Sequence, residues 1–213
     1  MFNLNYLLIS IAGVLTLAIE MVVSRLLIPY FGSSLYQWAA LISIVLLSYS
    51  VSYLTFKRVV GKHYTLSIVL AALYVITMPF WVDVILLKLI NLPFIPATIL
   101  SSFIVAAFPS YIWASLLPLL QSRMDQSAGN KILFYSTFGN LLGIFVFTLV
   151  VIPSLGVKYS LFLIGAGSLL LLMNTIPKVL GLIPIVLWGS FSVGKTPLAK
   201  DVIKHKETIY QNY

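Results

Sequence analysis

Apolar runs of about 20 residues follow one another along the chain, each closed by a short polar or proline-glycine break. At about 1.5 Å per residue, such a run is long enough to cross about 30 Å of hydrocarbon as a helix. The runs cover residues 4–28, 35–56, 64–90, 96–120, 132–152, 159–176 and 179–193. They predict an all-α, polytopic transmembrane helix bundle of about seven apolar helices, with six to eight as the range that 213 residues allow. The first run ends at Pro29, and Gly32, Ser33 and Ser34 form the turn into the second. The third contains Pro79, Asp83 and Lys88 and is longer than one crossing requires, so a span plus an interfacial piece is one reading of it. In the fourth, Pro109 and Pro118 each remove a backbone donor and predict helix kinks. The seventh, at about 22 Å of helix, is short for a crossing and reads as tilted or re-entrant.

Composition agrees with the pattern and narrows the function classes. Hydrophobic residues make up 61% and charged residues 8%, where a soluble domain carries about 25% charged residues. The chain therefore divides into a transmembrane helical domain over residues 1–194 and a basic juxtamembrane tail over 195–213, with the lipid bilayer as its first partner. The formal charge of +8 comes from lysines and arginines between the runs, where cytoplasmic loops collect them, and not from a nucleic-acid-binding face. Lys57, Arg58, Lys62 and His63 place the second break, and with it the amino terminus, in the cytoplasm of a multi-pass protein of the cell membrane. The amino terminus reads as an uncleaved first span. Lys195, Lys200, Lys204 and Lys206 argue for a cytoplasmic tail, which seven full crossings would contradict, so the third or seventh run is expected to be irregular.

Chemistry is sparse. No cysteine is present, and His63 and His205 are too few to build a metal site, so neither metal nor cofactor is expected. Gly189, Gly194, Lys195 and Thr196 imitate a phosphate-binding loop but lack the domain that such a loop needs, and the glycine-rich stretch at 163–168 lies inside an apolar run. No catalytic set assembles, so the chain is not expected to be an enzyme. The candidate intramembrane polar site is Glu20, Arg25 and Asn140. Glu20 sits mid-span, where an unpaired carboxylate costs several kcal/mol; a structural pair and a proton or solute site are both open to it. Arg25 lies about 140° further round the helix, so the two do not share a face. Gly139 and Gly143 form a GxxxG pair for close helix packing, with Asn140 able to bond across the contact, and Gly165 is read the same way.

Three stretches together resemble the membrane domain fused in front of spermidine-synthase-like catalytic domains in prokaryotes. They are Ala18-Ile-Glu-Met-Val-Val-Ser-Arg-Leu-Leu-Ile-Pro-Tyr-Phe-Gly-Ser-Ser34 with Trp38, Ser115-Leu-Leu-Pro118 with Arg123, and the glycine-rich run from Ala128-Gly129 through Phe134-Tyr-Ser-Thr-Phe-Gly139 and Gly143 to Ile152-Pro-Ser-Leu-Gly156. Glu207-Thr-Ile-Tyr-Gln211 is similar to the first strand of the aminopropyltransferase half, whose nucleotide-binding elements this chain lacks. After the second run the family has a glycine-rich turn with a basic-acidic pair, where this chain has Tyr53-Leu-Thr-Phe-Lys-Arg58. The resemblance implies a membrane domain that anchors a catalytic partner, such as a separate aminopropyltransferase-like chain, and extends to transport of a small, polyamine-like solute. The alternative is a structural or assembly subunit, bound to another membrane protein or to its own copy in a homo-oligomer.

Overall fold

The computed structural model describes residues 4–59, 63–122, 124 and 129–172. They are helical almost throughout, and no strand occurs among them. The elements are α1 (Leu4–Phe31), α2 (Leu35–Val59), α3 (Tyr64–Leu89), α4 (Phe94–Ser102), α5 (Phe108–Gln121), α6 (Gly129–Val146) and α7 (Ile152–Leu169). One i→i+5 turn, Phe103–Ala107, joins α4 to α5; a second, Phe147–Val151, joins α6 to α7; a 3-10 turn, Leu170–Leu172, ends the series.

Five helical stretches are long and apolar enough to cross a membrane: Leu4–Phe31, Leu35–Lys57, Tyr64–Leu89, Phe94–Gln121 and Gly129–Leu172. The expected count of about seven is therefore not supported among the described residues. Two of the expected runs, 132–152 and 159–176, belong to one 44-residue stretch, which changes direction at Gly156 (φ 80°, ψ 171°), a backbone conformation open to glycine and strained for other residues. The run at 179–193 lies outside the described residues, as do the tail, the boundary at residue 194, Arg123, His205 and the phosphate-loop-like residues. The third run does not break: α3 is continuous through Pro79 and Asp83. Pro29 does not end α1 either, which runs on to Phe31 and stops at Gly32, whose φ of 70° is the left-handed conformation that closes helices. Ser34 then caps α2, its hydroxyl accepting the Gln37 N–H at 3.2 Å.

The two i→i+5 turns have one physical cause. Each is followed at the second helical position by proline, Pro109 in α5 and Pro153 in α7, which has no N–H to give to the preceding turn. In the first turn the carbonyl that Pro109 would have satisfied is that of Ile104, and the Tyr74 hydroxyl of α3 donates to it instead. Within hydrocarbon that substitution matters, because no water is present to bond the orphaned carbonyl. Pro118 lies inside α5, which continues past it to Gln121.

α1 is the central helix. Ala18, Ile19, Val22, Val23 and Leu27 are wholly enclosed, and α1 packs against α2, α5, α6 and α7. The outer faces are as apolar as the interior: Leu46, Leu47 and Leu54 of α2, Leu70 and Leu73 of α3, and Phe134, Phe138 and Phe145 of α6 are exposed. A helix between lipid and protein has no polar face to turn outward, so amphipathic periodicity is weak here.

Side-chain pairings fix the helix directions. Gly139 meets Ser10 and Gly143 meets Val14, so α1 and α6 run parallel. At the far end of α1, Tyr30 donates to Asp83 Oδ1 of α3 at 2.8 Å, and Lys158 of α7 bonds Asp83 Oδ2 at 2.9 Å. At the opposite end the Tyr64 hydroxyl donates to the Leu171 carbonyl at 2.8 Å. α7 thus runs back along α3, and at Leu172 the chain stands on the side where α1 begins.

Candidate functional site

Small residues bring α1 and α6 into backbone contact. A Cβ built on Gly139 would lie 2.1 Å from the Ser10 carbonyl oxygen, and one on Gly143 would lie 2.5 Å from that of Val14. From the other side, a Cβ on Gly13 would lie 2.5 Å from the Ser136 carbonyl oxygen. Only glycine permits this approach, and no hydrophobic driving force between helices is needed where close van der Waals contact is available. The same proximity lets polar groups bond across the seam. Ser10 donates to the Tyr135 carbonyl at 3.1 Å, and the Thr16 hydroxyl approaches Asn140 Oδ1 at 3.2 Å while bonding the Gly13 carbonyl at 2.8 Å. Tyr6 and Tyr135 stack beside the seam with centroids 4.9 Å apart. Gly165 makes the corresponding contact elsewhere: its Cβ would meet Ile76 at 2.4 Å and the Ala72 carbonyl at 3.1 Å, both on α3. The stretch at 163–168 is accordingly the interior of α7 and not a cofactor-binding turn.

Next to this seam, where α2 and α5 close over α1 and α6, lies a cleft of about 60 Å³, room for a few water molecules. Its polar lining is Thr16, Tyr49, Tyr53, Trp113, Ser136 and Asn140. One of these groups, Trp113 Nε1, is buried without a hydrogen-bond partner in the protein. Trp113 is almost completely enclosed, at 1% exposure, and forms part of the cleft wall. Thr16 adjoins Tyr49: with its own proton directed at Gly13, its oxygen keeps lone pairs that accept from the Tyr49 hydroxyl.

Glu20 follows Thr16 by one helical turn. At 100° per residue, Gly13, Thr16 and Glu20 fall within about 60° of one another, on the stripe of α1 that carries the cleft. Glu20 is half-buried and within electrostatic reach of the Tyr49 hydroxyl. Asn140 enters the cleft from α6, whereas Arg25 stands exposed, away from it. Of the three sequence candidates, Asn140 lines the cleft, Glu20 lies one helical turn beyond the lining residue Thr16, and Arg25 is exposed. The ion pair formed among the described residues is Lys158–Asp83, not one of Glu20 with Arg25. No cluster of His, Cys, Asp or Glu able to hold a metal occurs among the described residues.

Tyr49, Tyr53, Trp113 and Thr16 carry no signal in the sequence that separates them from core residues, because aromatic and hydroxyl side chains are common in membrane helices. The spacing of Gly13, Thr16 and Glu20 on one α1 face was readable, as was the four-residue interval between Tyr49 and Tyr53. Their convergence with Trp113 depends on helix pairing, which no local pattern encodes. Comparison with protein-family models, with curated proteins and with solved structures finds no match to this chain.

Proposed function

We propose that this chain is a multi-pass protein of the cell membrane whose α1–α2–α5–α6 cleft admits a small polar solute on its way across the bilayer. The observation that carries the reading is a cleft among apolar helices lined by Thr16, Tyr49, Tyr53, Ser136 and Asn140, with the mid-span carboxylate of Glu20 one helical turn beyond Thr16. Polar side chains gathered at one depth are costly in hydrocarbon and persist where they bond one another, water or a ligand. The amino terminus and the tail belong in this reading to the cytoplasm; Lys57 and Lys131 at the α1-start side, and the return of the chain to that side at Leu172, support it. Anchoring of an aminopropyltransferase-like chain, and a polyamine-like solute whose ammonium would pair with Glu20, are what the family resemblance adds.

Reconstituted vesicles test passage. Glu20→Gln and Glu20→Ala should both insert and fold, and should alter solute or proton flux relative to the native chain. Flux indistinguishable from protein-free vesicles for polyamines, amino acids, neutral solutes and protons alike would remove the reading. A second reading, an assembly subunit without transport, draws on the apolar aromatic face of α6 at Phe134, Phe138 and Phe145. The small-residue faces themselves are occupied within the chain, Gly139 and Gly143 by α1 and Gly165 by α3. A stoichiometric complex recovered from native membranes, with no solute-dependent stabilisation, would favour it.

A further inference from the structure

We infer that Glu20, together with the cleft one turn along α1 from it, binds a small organic cation of single charge in preference to neutral or anionic molecules of the same size. This names the solute class for the passage reading above, and rests on that reading for the cation's route but not for its binding. Glu20 stands about 24 Å along α1 from Leu4, at hydrocarbon depth. It is half-buried, yet among the described residues it forms no hydrogen bond or ion pair. Its oxygens are not among the enclosed unpartnered polar atoms, so a molecule the size of water reaches them. Arg25, the nearest basic residue in sequence, lies about 140° further round the helix and is exposed. Carboxylates at such depth pair with a cation or line its path, and among the described residues the chain supplies Glu20 with no such partner.

Tyr49 links the carboxylate to the cleft: its hydroxyl bonds Thr16 and lies within electrostatic reach of Glu20. No Lys, Arg or His lines the cleft, so an anion there would lack a counter-ion and be repelled by Glu20. A neutral molecule would leave Glu20 without a counter-charge, which a cation supplies. Lys57 and Lys131 are exposed on the side where α1 begins, separated from Glu20 by more than the Debye length of about 10 Å. The rings of Tyr49, Tyr53 and Trp113 line the cleft, and aromatic rings attract cations and repel anions at their faces. The Tyr53 hydroxyl has no bond among the described residues, so its oxygen is free to accept from the N–H of a cation. Apolar walls such as Ile9, Ala12 and Leu117 suit a weakly hydrated organic ion, whereas an alkali ion requires a shell of oxygens. The volume of about 60 Å³ limits the ion to a few heavy atoms, and one carboxylate neutralises one charge, which disfavours a polycation.

Guanidinium, urea and acetate are planar, have the same heavy-atom count and separate the three classes; guanidinium also keeps its charge, so no neutral form leaks through lipid. In detergent at constant ionic strength, guanidinium far below denaturing concentrations should raise the unfolding midpoint of the native chain saturably, and urea, acetate and sodium should not. In proteoliposomes with the membrane potential clamped, labelled guanidinium should enter faster than into protein-free vesicles. Glu20→Gln should weaken guanidinium binding about tenfold to a hundredfold, and Glu20→Asp, which keeps the charge, should retain most of it. Tyr53→Leu, which removes a ring, should weaken it about threefold. Saturable stabilisation by urea or acetate but not by guanidinium would overturn the cation class, and uptake of urea would then leave passage intact. Equal stabilisation by sodium, or by a short diammonium ion, would overturn the single organic charge. Guanidinium binding unchanged in Glu20→Gln would overturn the site. Glu20-dependent binding without uptake of any probe would uphold the cation site and remove passage. The comparison of probes uses the native chain alone, so it decides even where a variant does not fold.

Discussion

Gly139→Ala is the most incisive single test of the packing described above. The added methyl would sit 2.1 Å from the Ser10 carbonyl oxygen and 2.9 Å from the Ser10 Cα and carbonyl carbon, all backbone atoms that cannot swing aside. Restoring an ordinary contact near 3.4 Å requires α6 to withdraw by about 1.3 Å. That withdrawal breaks the 3.2 Å contact between Thr16 and Asn140, at about 1 kcal/mol, and adds an overpacking cost of about 1–3 kcal/mol. The intrinsic preference of a helix for Ala over Gly returns about 1 kcal/mol, leaving a net loss of about 1–3 kcal/mol. Gly129→Ala is the open-space control, since nothing lies within 4 Å of its Cβ; at the first residue of α6 it gains little of the helix-interior preference for Ala. Gly143→Ala, with its nearest backbone oxygen at 2.5 Å, should fall between the two. Unfolding by sodium dodecyl sulfate in mixed micelles, followed by circular dichroism, gives the ranking. If Gly139→Ala is as stable as Gly129→Ala, the parallel α1–α6 contact is not as described, and the cleft beside it loses its wall.

The capping of the Ile104 carbonyl predicts an interaction between distant positions: Tyr74→Phe should cost about 1–2 kcal/mol in the same assay. Adding Pro109→Ala should recover part of that loss by supplying the missing N–H, and simple additivity of the two changes would refute the exchange. A double-mutant cycle on Asp83→Asn and Lys158→Met should give a coupling below about 1 kcal/mol, because the two side chains are 35% and 48% exposed, and the coupling should shrink in high salt. Gly156→Ala should cost about 1–3 kcal/mol through backbone strain alone, nothing lying within 4 Å of its Cβ; an unchanged midpoint would mean that the α6–α7 stretch does not turn there as described.

The existence and approximate limits of the long helices were legible from run length alone, because the hydrocarbon thickness sets it. Their interruptions were not. Pro29 and Pro79 sit inside helices, since lipid removes the competing option of bonding free backbone groups to water and neighbouring helices absorb the defect. The merging of two apolar runs into one stretch that reverses at Gly156 turns on a backbone dihedral that hydropathy cannot register. Of the candidate site, Glu20 and Asn140 were visible because polar groups at depth are rare. Tyr49 and Trp113 were not, since their hydrophobic bodies make them look like core.

The cleft and the glycine seam are two consequences of one packing choice. Gly13 and Gly139 draw the α1 and α6 backbones together, which fixes Asn140 against Thr16 and leaves no room for a large side chain to fill the space toward α2 and α5. That space is closed instead by Tyr49, Tyr53 and Trp113, long rings that reach across from their own helices and end in polar atoms. A bundle selected only for stability would replace Trp113 with Phe or Leu, removing an unsatisfied donor at little loss of apolar contact. Polar lining at a gap between otherwise apolar helices is the physical reason to look for an occupant there.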